Sequence, residues 1–450
     1  MVHGGYDKSD DGASRQRYVI IVAWLITSVF YFYQYVMRSA PAVMVPQLTD
    51  AFGLTPVGLA TLVGLFYYGY SPFSLVAGVA MDQLGPRRVV PLGAVIVGIG
   101  ALLFASGDPT VAAYGRFFQG VGGVFALIGA AYIATTYFPV WRAATLIGAT
   151  QMFGMAGGSA GQFVVGPAIT GGLRWDDFWL LMGVTGLGIA VLLFACIPRN
   201  QATPGDKARS YERNEWAAKA LVALGAVFRN PQSILCGLIA GLMFLPTTIF
   251  DMVWGVRFLQ DSHDLPYSAA VLRSASVPFG WIIGCPLLGA LSDRIGQRKP
   301  VIIGGAAVLF ACLVLILYAT PTMFPPYSLG LVAGMASGAA MLPYTVIKEA
   351  NRPEYSGTAT GVINFINFSL SAFLGPVFAI LLTNVSGGGE LELAHYQAAF
   401  TPLVCGVALA IILTLFLRET GPAARPVGVP KRASEIMPET PTKERSQASR

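Results

Sequence analysis

The sequence predicts an all-α integral membrane protein, with twelve transmembrane helices in two pseudo-symmetric six-helix bundles. Three observations predict it: the composition, a count of apolar runs, and an internal repeat. Of the 450 residues, 54% are hydrophobic and only 12% are charged, whereas an ordinary soluble protein is about 25% charged. The apolar residues form long continuous runs of the length that crosses a hydrocarbon core of ~30 Å. This composition excludes a soluble enzyme, a disordered chain and a secreted disulfide scaffold.

The apolar runs predict two sets of six spans. Spans 1 to 6 are predicted at 18–48, 57–81, 89–105, 111–138, 143–170 and 178–197. Spans 7 to 12 are predicted at 233–258, 267–291, 301–319, 327–347, 355–385 and 394–417. These spans define an N-terminal bundle (18–197) and a C-terminal bundle (233–418), joined by a polar central loop (198–232). Residues 1–17 are predicted to be a cytoplasmic tail, and 419–450, polar and rich in proline, a disordered cytoplasmic tail.

The distribution of charge predicts the orientation. With the N-terminus placed in the cytoplasm, 24 of the 29 lysine and arginine residues fall in the tails and loops on that side. The loops of the opposite side are acidic, with residues such as Asp108, Asp176 and Asp261. Basic residues concentrate on the cytoplasmic side of membrane proteins. We therefore expect both termini in the cytoplasm of a multi-pass protein of the plasma membrane, which in a bacterium is the inner membrane.

The loops after spans 2 and 8 carry the same motif, G-x-x-x-D-x-x-G-x-[RK]-[RK]. The two copies are 211 residues apart at every matched position. The first copy contains Gly78, Asp82, Gly85, Arg87 and Arg88, and the second contains Gly289, Asp293, Arg294, Gly296, Arg298 and Lys299. Spans 5 and 11 share a second pattern at an offset of 213, in which Thr145, Gly148 and Gln151 match Thr358, Gly361 and Asn364. Repeats of this kind indicate a duplicated six-helix unit.

These motifs resemble the signature of the major facilitator superfamily. One departure is Gln83, where many members have a basic residue after the aspartate. The resemblance implies that Gly78 lets span 2 approach span 11 closely, and that the Asp82 carboxylate meets the first N–H groups of span 11. This contact would latch the two halves together, with Arg87 and Arg88 balancing the acid. The alternative is that these residues only form a tight turn with cytoplasmic positive charge.

Span 4 contains a second motif of the same family, R-x-x-Q-G, which is associated with proton-coupled members. It consists here of Arg116, Gln119 and Gly120. The resemblance implies a functional role for Arg116 and Gln119. The alternative is that Arg116 extends its side chain toward the membrane surface.

Three charged residues lie within other spans, where each costs about 2.5–3.5 kcal/mol on insertion scales. By the resemblance, spans 1 and 7 face a central cavity, so Arg38 and Asp251 are expected to look across it at each other. Asp251 and Arg273 lie at equal distance from the turn between spans 7 and 8, which predicts that they can pair. The pair is either a structural salt bridge or one that substrate or proton binding disrupts.

Neutral polar residues are predicted to complete the central site. Tyr35 shares a helix face with Arg38, and the repeat mates Gln151 and Asn364 occupy symmetric positions. Lys348 and Glu349, near the end of span 10, are expected to extend toward the membrane surface rather than bind a ligand.

The combined reading is a secondary-active transporter of a small organic solute. An arginine in span 1 resembles the organic-anion branch of the superfamily, which implies that Arg38 binds a carboxylate. Asp251 is the best candidate to couple transport to a proton, or to sodium, while the halves rock about the site. The partners expected are the solute, the coupling ion and the lipid bilayer, with a monomer as the functional unit. The alternatives are an exporter of neutral metabolites or drugs, and a transporter-like receptor that moves no solute.

Enzymatic and nucleic-acid functions are not predicted. The three histidines lie in a tail or in outer loops, and the sequence contains no phosphate-binding G-x-x-x-x-G-K-[ST] loop. We therefore expect no cofactor, no metal site and no nucleic-acid partner.

Overall fold

Helices dominate the computed structural model, which describes residues 8–54, 56–198, 213–319, 323–387 and 391–424. In the N-terminal half, eight helices follow one another: α1 Lys8–Ser39, α2 Val45–Phe52, α3 Pro56–Leu84, α4 Pro86–Phe104, α5 Pro109–Tyr137, α6 Ala143–Phe163, α7 Val165–Thr170 and α8 Trp175–Cys196. The C-terminal half begins after helix α9 Arg213–Arg229 and contains α10 Pro231–Leu245, α11 Gly255–His263, α12 Tyr267–Ile295, α13 Lys299–Tyr318, α14 Ser328–Ser337, α15 Leu342–Glu349, α16 Ser356–Ser386 and α17 Leu393–Leu415.

Several predicted spans are interrupted in the structure. Span 1 ends at Ser39, and a 3₁₀ turn with Pro41 separates it from the short helix α2. Span 7 contains a π-helix over Pro246–Trp254, and span 10 contains a 3₁₀ turn over Gly338–Met341. At these points proline removes a backbone hydrogen bond and glycine has no side chain to pack. The regular α-helix is therefore replaced by a 3₁₀ turn or a π-helix.

Eleven segments of the described chain are long and apolar enough to cross a membrane. The predicted span 5 is not among them, because α6 carries two glutamines and five glycines that lower its hydropathy. Nevertheless, α6 packs between α1 of its own half and α12 of the other half. Large apolar side chains such as Leu181, Val191 and Phe373 are exposed on the outer surface, as expected of a surface that faces lipid.

The polar connections are more ordered than predicted. The central loop was expected to be polar throughout, yet Arg213–Arg229 forms helix α9, whose Val227 is buried and whose Leu221 is 71% exposed. The C-terminal tail was expected to be disordered from residue 419, yet the Glu419 carboxylate accepts hydrogen bonds from the backbone N–H groups of Arg298 (2.7 Å) and Lys299 (3.0 Å). Residues 199–212 of the predicted loop, 425–450 of the predicted C-terminal tail and 1–7 of the N-terminal tail lie outside the described residues.

The two halves meet along two pairs of helices, α3 with α16 and α6 with α12. The pairs are related by the internal repeat, and glycines allow both contacts. A Cβ atom at Gly78 would lie 2.5 Å from the carbonyl oxygen of Gly357, and one at Gly289 would lie 2.6 Å from that of Ala144. We call the end of the molecule that carries these residues and the two repeated motifs the motif end.

Each motif also needs its second glycine for a backbone reason. Gly85 has φ +76° and Gly296 has φ +73°, in the region that L-residues with a side chain avoid. Gly85 stands at the start of α4, and Gly296 stands at the end of α12. The repeated glycine therefore makes the sharp turn that places the following basic residues.

The first prediction concerns Gly78. The variant Gly78→Ala inserts a methyl group against the Gly357 carbonyl, so we expect the motif end to open at a cost on the order of 1–3 kcal/mol. Spin labels at Leu84 and Ile295, two exposed positions 211 residues apart, would report a longer distance between the halves. The control is Gly64→Ala on the same helix, where a Cβ has no neighbour within 4 Å. Equal distances in both variants would contradict this prediction.

Candidate functional site

The first copy of the motif forms the contact that the sequence predicts. The Asp82 carboxylate at the end of α3 accepts hydrogen bonds from the backbone N–H groups of Gly357 and Thr358, and from the Thr358 hydroxyl, each at 2.6 Å. These groups form the first turn of α16, where N–H groups have no partner within the helix and the dipole favours an anion. The carboxylate of one half therefore caps a helix of the other half.

The second copy repeats the contact in the opposite direction. Asp293 on α12 accepts hydrogen bonds from the Thr145 backbone N–H (2.9 Å) and hydroxyl (2.7 Å), at the start of α6. Arg298, which is fully buried, balances this acid at 2.6 Å and also pairs with Glu349 at 2.8 Å. Glu349 is thus part of an ion-pair network, and the expectation that it extends to the membrane surface is wrong. Arg294 and Arg88 are exposed.

The first copy lacks an equivalent arginine pair. Arg87 is the repeat mate of Arg298, but it donates to the Ile197 carbonyl (2.6 Å) and lies over the ring of Phe194. The prediction that Arg87 balances Asp82 is therefore wrong. Instead, the buried Lys348 of the C-terminal half interacts electrostatically with Asp82, and its Nζ donates to the Thr135 hydroxyl of α5 at 3.3 Å.

Lys348 was expected to extend toward the membrane surface, and that expectation is also wrong. Its side chain crosses from one half to the other at the motif end. No motif in the sequence marks this role, because the partner of Lys348 lies in the other half of the chain. The sequence offers one signal for this role: the residue of the first half that matches Glu349 is not an acid.

Arg38, near the end of α1, lies among four aromatic rings. Its guanidinium carbon is 4.8–5.6 Å from the ring centres of Tyr35, Phe66, Tyr67 and Phe368. The Tyr67 hydroxyl accepts hydrogen bonds from Nε (3.2 Å) and Nη2 (2.9 Å). Within the described chain, Nη1 is buried without a partner and no carboxylate pairs with Arg38. We call these four rings the aromatic cage; Phe66 and Phe368 were not predicted as site residues.

The predicted neutral residues form a buried hydrogen-bond network beside the cage. In the N-terminal half, the Tyr31 hydroxyl donates to the side-chain carbonyl of Gln151 (3.0 Å) and lies 3.3 Å from the Tyr35 hydroxyl, which can donate to it. In the C-terminal half, Tyr344 donates to Asn364 at 2.8 Å. The network spans the halves, because Asn364 Nδ2 donates to the Tyr70 hydroxyl at 3.4 Å.

This network has unused hydrogen-bonding capacity. In the described chain, Gln151 Nε2 and Asn367 Oδ1 are buried without a partner, as is Nη1 of Arg38. Buried polar atoms without partners are rare and call for an explanation. A ligand with an anionic group and further polar groups supplies one, since two of these atoms are donors and one is an acceptor.

Arg116 and Gln119 lie outside this network and serve the packing of the N-terminal half. The fully buried Arg116 donates to the carbonyl oxygens of Met37 (3.0 Å), Arg38 (3.1 Å) and Val63 (3.1 Å), and to Gln119 Oε1 (2.8 Å). The carbonyls of Met37 and Arg38 belong to the last turn of α1, where they have no partner within the helix. Arg116 therefore caps α1 and fixes the end that carries Arg38, and it does not extend to the membrane surface.

Asp251 does not pair with Arg273, so that prediction is wrong. Among the described residues, the polar partner of the Asp251 side chain is Ser274, whose hydroxyl donates to Oδ1 at 2.9 Å. Asp251 and Arg273 line one cavity of about 110 Å³, and every residue that lines it belongs to the C-terminal half. Asp251 therefore lies inside its own bundle rather than across from Arg38.

Comparison with known proteins agrees with this architecture. The sequence profile of the Major Facilitator Superfamily matches residues 27–376. The chain belongs to this superfamily. Its fold resembles the crystal structure of the transporter FucP in the outward conformation, with a TM-score of 0.68 at 15% identity over 89% of this chain and 99% of that one.

Three curated relatives bear on function. A probable sulfoacetate transporter of Cupriavidus necator is 24% identical over 81% of this chain and 88% of its own length. The hexuronate transporter of Bacillus subtilis is 24% identical over 82% and 90%, respectively. The membrane sensor protein UhpC of Salmonella typhimurium is 23% identical over 90% and 92%. The chain is thus a multi-pass membrane transporter of the superfamily rather than an enzyme.

The second prediction tests Lys348. The variant Lys348→Met leaves the Asp82 carboxylate buried without its cation, which we expect to weaken closure of the motif end by about 1–3 kcal/mol. The distance between spin labels at Leu84 and Ile295 should shift to longer values. The matched control is Lys299→Met, because the Lys299 ammonium donates to the Leu415 carbonyl of its own half. If both variants gave the wild-type distance, Lys348 would have no role in closure.

Proposed function

We propose that this protein carries a small organic anion across the membrane by symport with a proton, or with sodium, through alternating access. The observation that carries the proposal is the Arg38 guanidinium, which is held in the aromatic cage with one nitrogen unpartnered. A carboxylate or sulfonate offers the geometry that a guanidinium binds best. The unpartnered amides of Gln151 and Asn367 then bind polar groups elsewhere on the solute.

The relatives support the anionic class of substrate. Sulfoacetate and hexuronates, which the names of two relatives mention, are organic anions. The cage lies where the halves meet, since Phe368 comes from the C-terminal half and the other three rings come from the N-terminal half. With the motif end closed and facing the cytoplasm, the anion enters from the opposite side of the plasma membrane, and separation of the motif end releases it.

We further propose that Asp251 takes up the coupling proton. It is a buried carboxylate whose described polar partner is a single hydroxyl, and it lies in the middle of a π-helix. Such segments are frequent at functional sites. A proton on Asp251 removes a charge that is costly within the membrane.

The third prediction concerns Arg38. The variant Arg38→Gln removes the charge that binds the anion, so uptake of radiolabelled sulfoacetate or glucuronate into proteoliposomes should fall at least about tenfold. The exposed Arg88→Gln provides the control for a lost arginine. Undiminished uptake in Arg38→Gln would refute the anion assignment. If wild-type protein moves no anion but binds one, the non-transporting receptor is the better description. One relative, UhpC, is named a membrane sensor protein.

The fourth prediction concerns Asp251. The variant Asp251→Asn cannot change its charge, so we expect a gradient of pH or sodium to lose its effect on anion accumulation. Exchange of labelled for unlabelled anion should persist, because it needs only the rocking of the loaded protein. Both rates are measured in the same proteoliposomes. A gradient-driven Asp251→Asn variant would move the coupling site elsewhere.

A further inference from the structure

The pseudo-symmetry of the two halves can be traced residue by residue through their glycine contacts. A Cβ atom at Gly69 of α3 would collide with the Phe117 carbonyl of α5, and one at Gly280 of α12 would collide with the Leu331 carbonyl of α14. The offset is 211 residues between α3 and α12, and 214 residues between α5 and α14. The contacts of Gly120 with Phe66 and of Gly334 with Val277 obey the same two offsets. These offsets identify the equivalent of each residue in the other half.

Applied to Arg116, the offsets reveal a difference between the halves. The equivalent of Arg116 is Gly330, which has no side chain. One of its carbonyl acceptors, Val63 of α3, corresponds to Ser274 of α12. The ring of Phe66, which lies 5.1 Å from the Arg116 guanidinium, corresponds to Val277. The Ser276 hydroxyl lies where a Cβ of Gly330 would be. Farther from the backbone, no side chain of residue 330 fills the C-terminal half as the guanidinium fills the N-terminal half, and space remains there.

That space is the cavity beside Asp251. Gly330, Ser274 and Val277, all found by symmetry with the surroundings of Arg116, line it. Asp251 lines it as well, and only 8% of this residue is exposed. A cavity needs about 10–15 Å³ to hold one water, so 110 Å³ accommodates a larger group.

The lining of the cavity suits a cation. The rings of Phe250 and Phe258 line it beside the carboxylate, and aromatic faces attract cations. Two resident basic groups, Arg273 and His263, line the same cavity. Within the described chain neither forms an ion pair with Asp251, and Arg273 acts electrostatically on His263. Among the side chains that the structure describes, the Asp251 carboxylate thus has no counter-ion.

We propose that this cavity binds a small cation with a guanidinium or primary ammonium group, which takes the place that the Arg116 side chain fills in the other half. The Asp251 carboxylate and the Ser274 hydroxyl receive its hydrogen bonds, and the aromatic rings cover its faces. The site lies inside the C-terminal bundle, apart from the aromatic cage at Arg38. Binding of the cation does not depend on the transport function proposed above.

The test is equilibrium binding of radiolabelled guanidinium to the purified full-length protein in a scintillation proximity assay. We expect saturable binding that methylammonium displaces. Asp251→Asn should weaken it by about tenfold or more, since a charge-assisted hydrogen bond is lost. Ser274→Ala should weaken it less, and Arg273→Gln should strengthen it by removing a nearby positive charge.

The matched control is Asp264→Asn. Asp264 is exposed near the same end of the C-terminal half, does not line the cavity, and has a φ of 50° that asparagine tolerates. Its variant should bind guanidinium like the wild type. Absence of saturable binding to wild-type protein, or equal binding by Asp251→Asn, would overturn the proposal, and displacement by sodium at equal concentration would overturn the assigned class of cation. None of these readouts uses transport, so a failure of the transport proposal is recognised separately.

Discussion

The structure depends on two buried carboxylates, each of which caps a helix of the opposite half. Asp82 receives the first N–H groups of α16, and Asp293 receives those of α6. A carboxylate in a low-dielectric region is stable only where donors surround it, and here the donors are backbone groups that have no other partner. The closed motif end is thus held by a symmetric pair of contacts, which the close approach at Gly78 and Gly289 allows to form. Because the repeat relates the two contacts, the rocking that we propose would break both together.

The features that repeat in the two halves could be predicted from the sequence, and the features that occur in one half could not. The two motif copies followed from spacing, because the same residues recur 211 positions apart. The superfamily fold and the approach of Asp82 to span 11 followed from the family resemblance that these motifs carry. Asp251 shows the limit of counting. Its distance from the turn between spans 7 and 8 fixes its depth, but the π-helix around it changes the direction in which its side chain points. Lys348 shows a different limit, since its partner Asp82 lies in the other half and no local pattern joins them.

The two halves share a backbone arrangement but distribute their charges differently. Arg298 balances the acid of its own motif, whereas its mate Arg87 turns to α8 and leaves Lys348, from the opposite half, to interact with Asp82. The Arg116 side chain is buried inside the N-terminal bundle, whereas its equivalent in the C-terminal bundle, Gly330, lines a cavity. Arg38 stands in the aromatic cage, and its repeat mate is Ile249. A fully symmetric pair of bundles would place identical groups on both sides of the pathway, so these departures leave one caged arginine rather than two.

Arg38 and Asp251 place opposite charges within the membrane, and within the described chain neither has an ion-pair partner. The aromatic cage stabilises a desolvated guanidinium by about 2 kcal/mol or more per favourable contact, whereas burying a charge without a partner costs several kcal/mol. In the function that we propose, an organic anion at Arg38 neutralises one charge, and a proton on Asp251 neutralises the other. The protein that carries both therefore has no bare charge at either place, whereas the protein that carries one retains an uncompensated charge as its halves move. An unpaired charge within the membrane is costly, so the halves move more easily when both ligands are bound than when one is. This difference in energy links the two ligands although Asp251 and Arg38 do not touch.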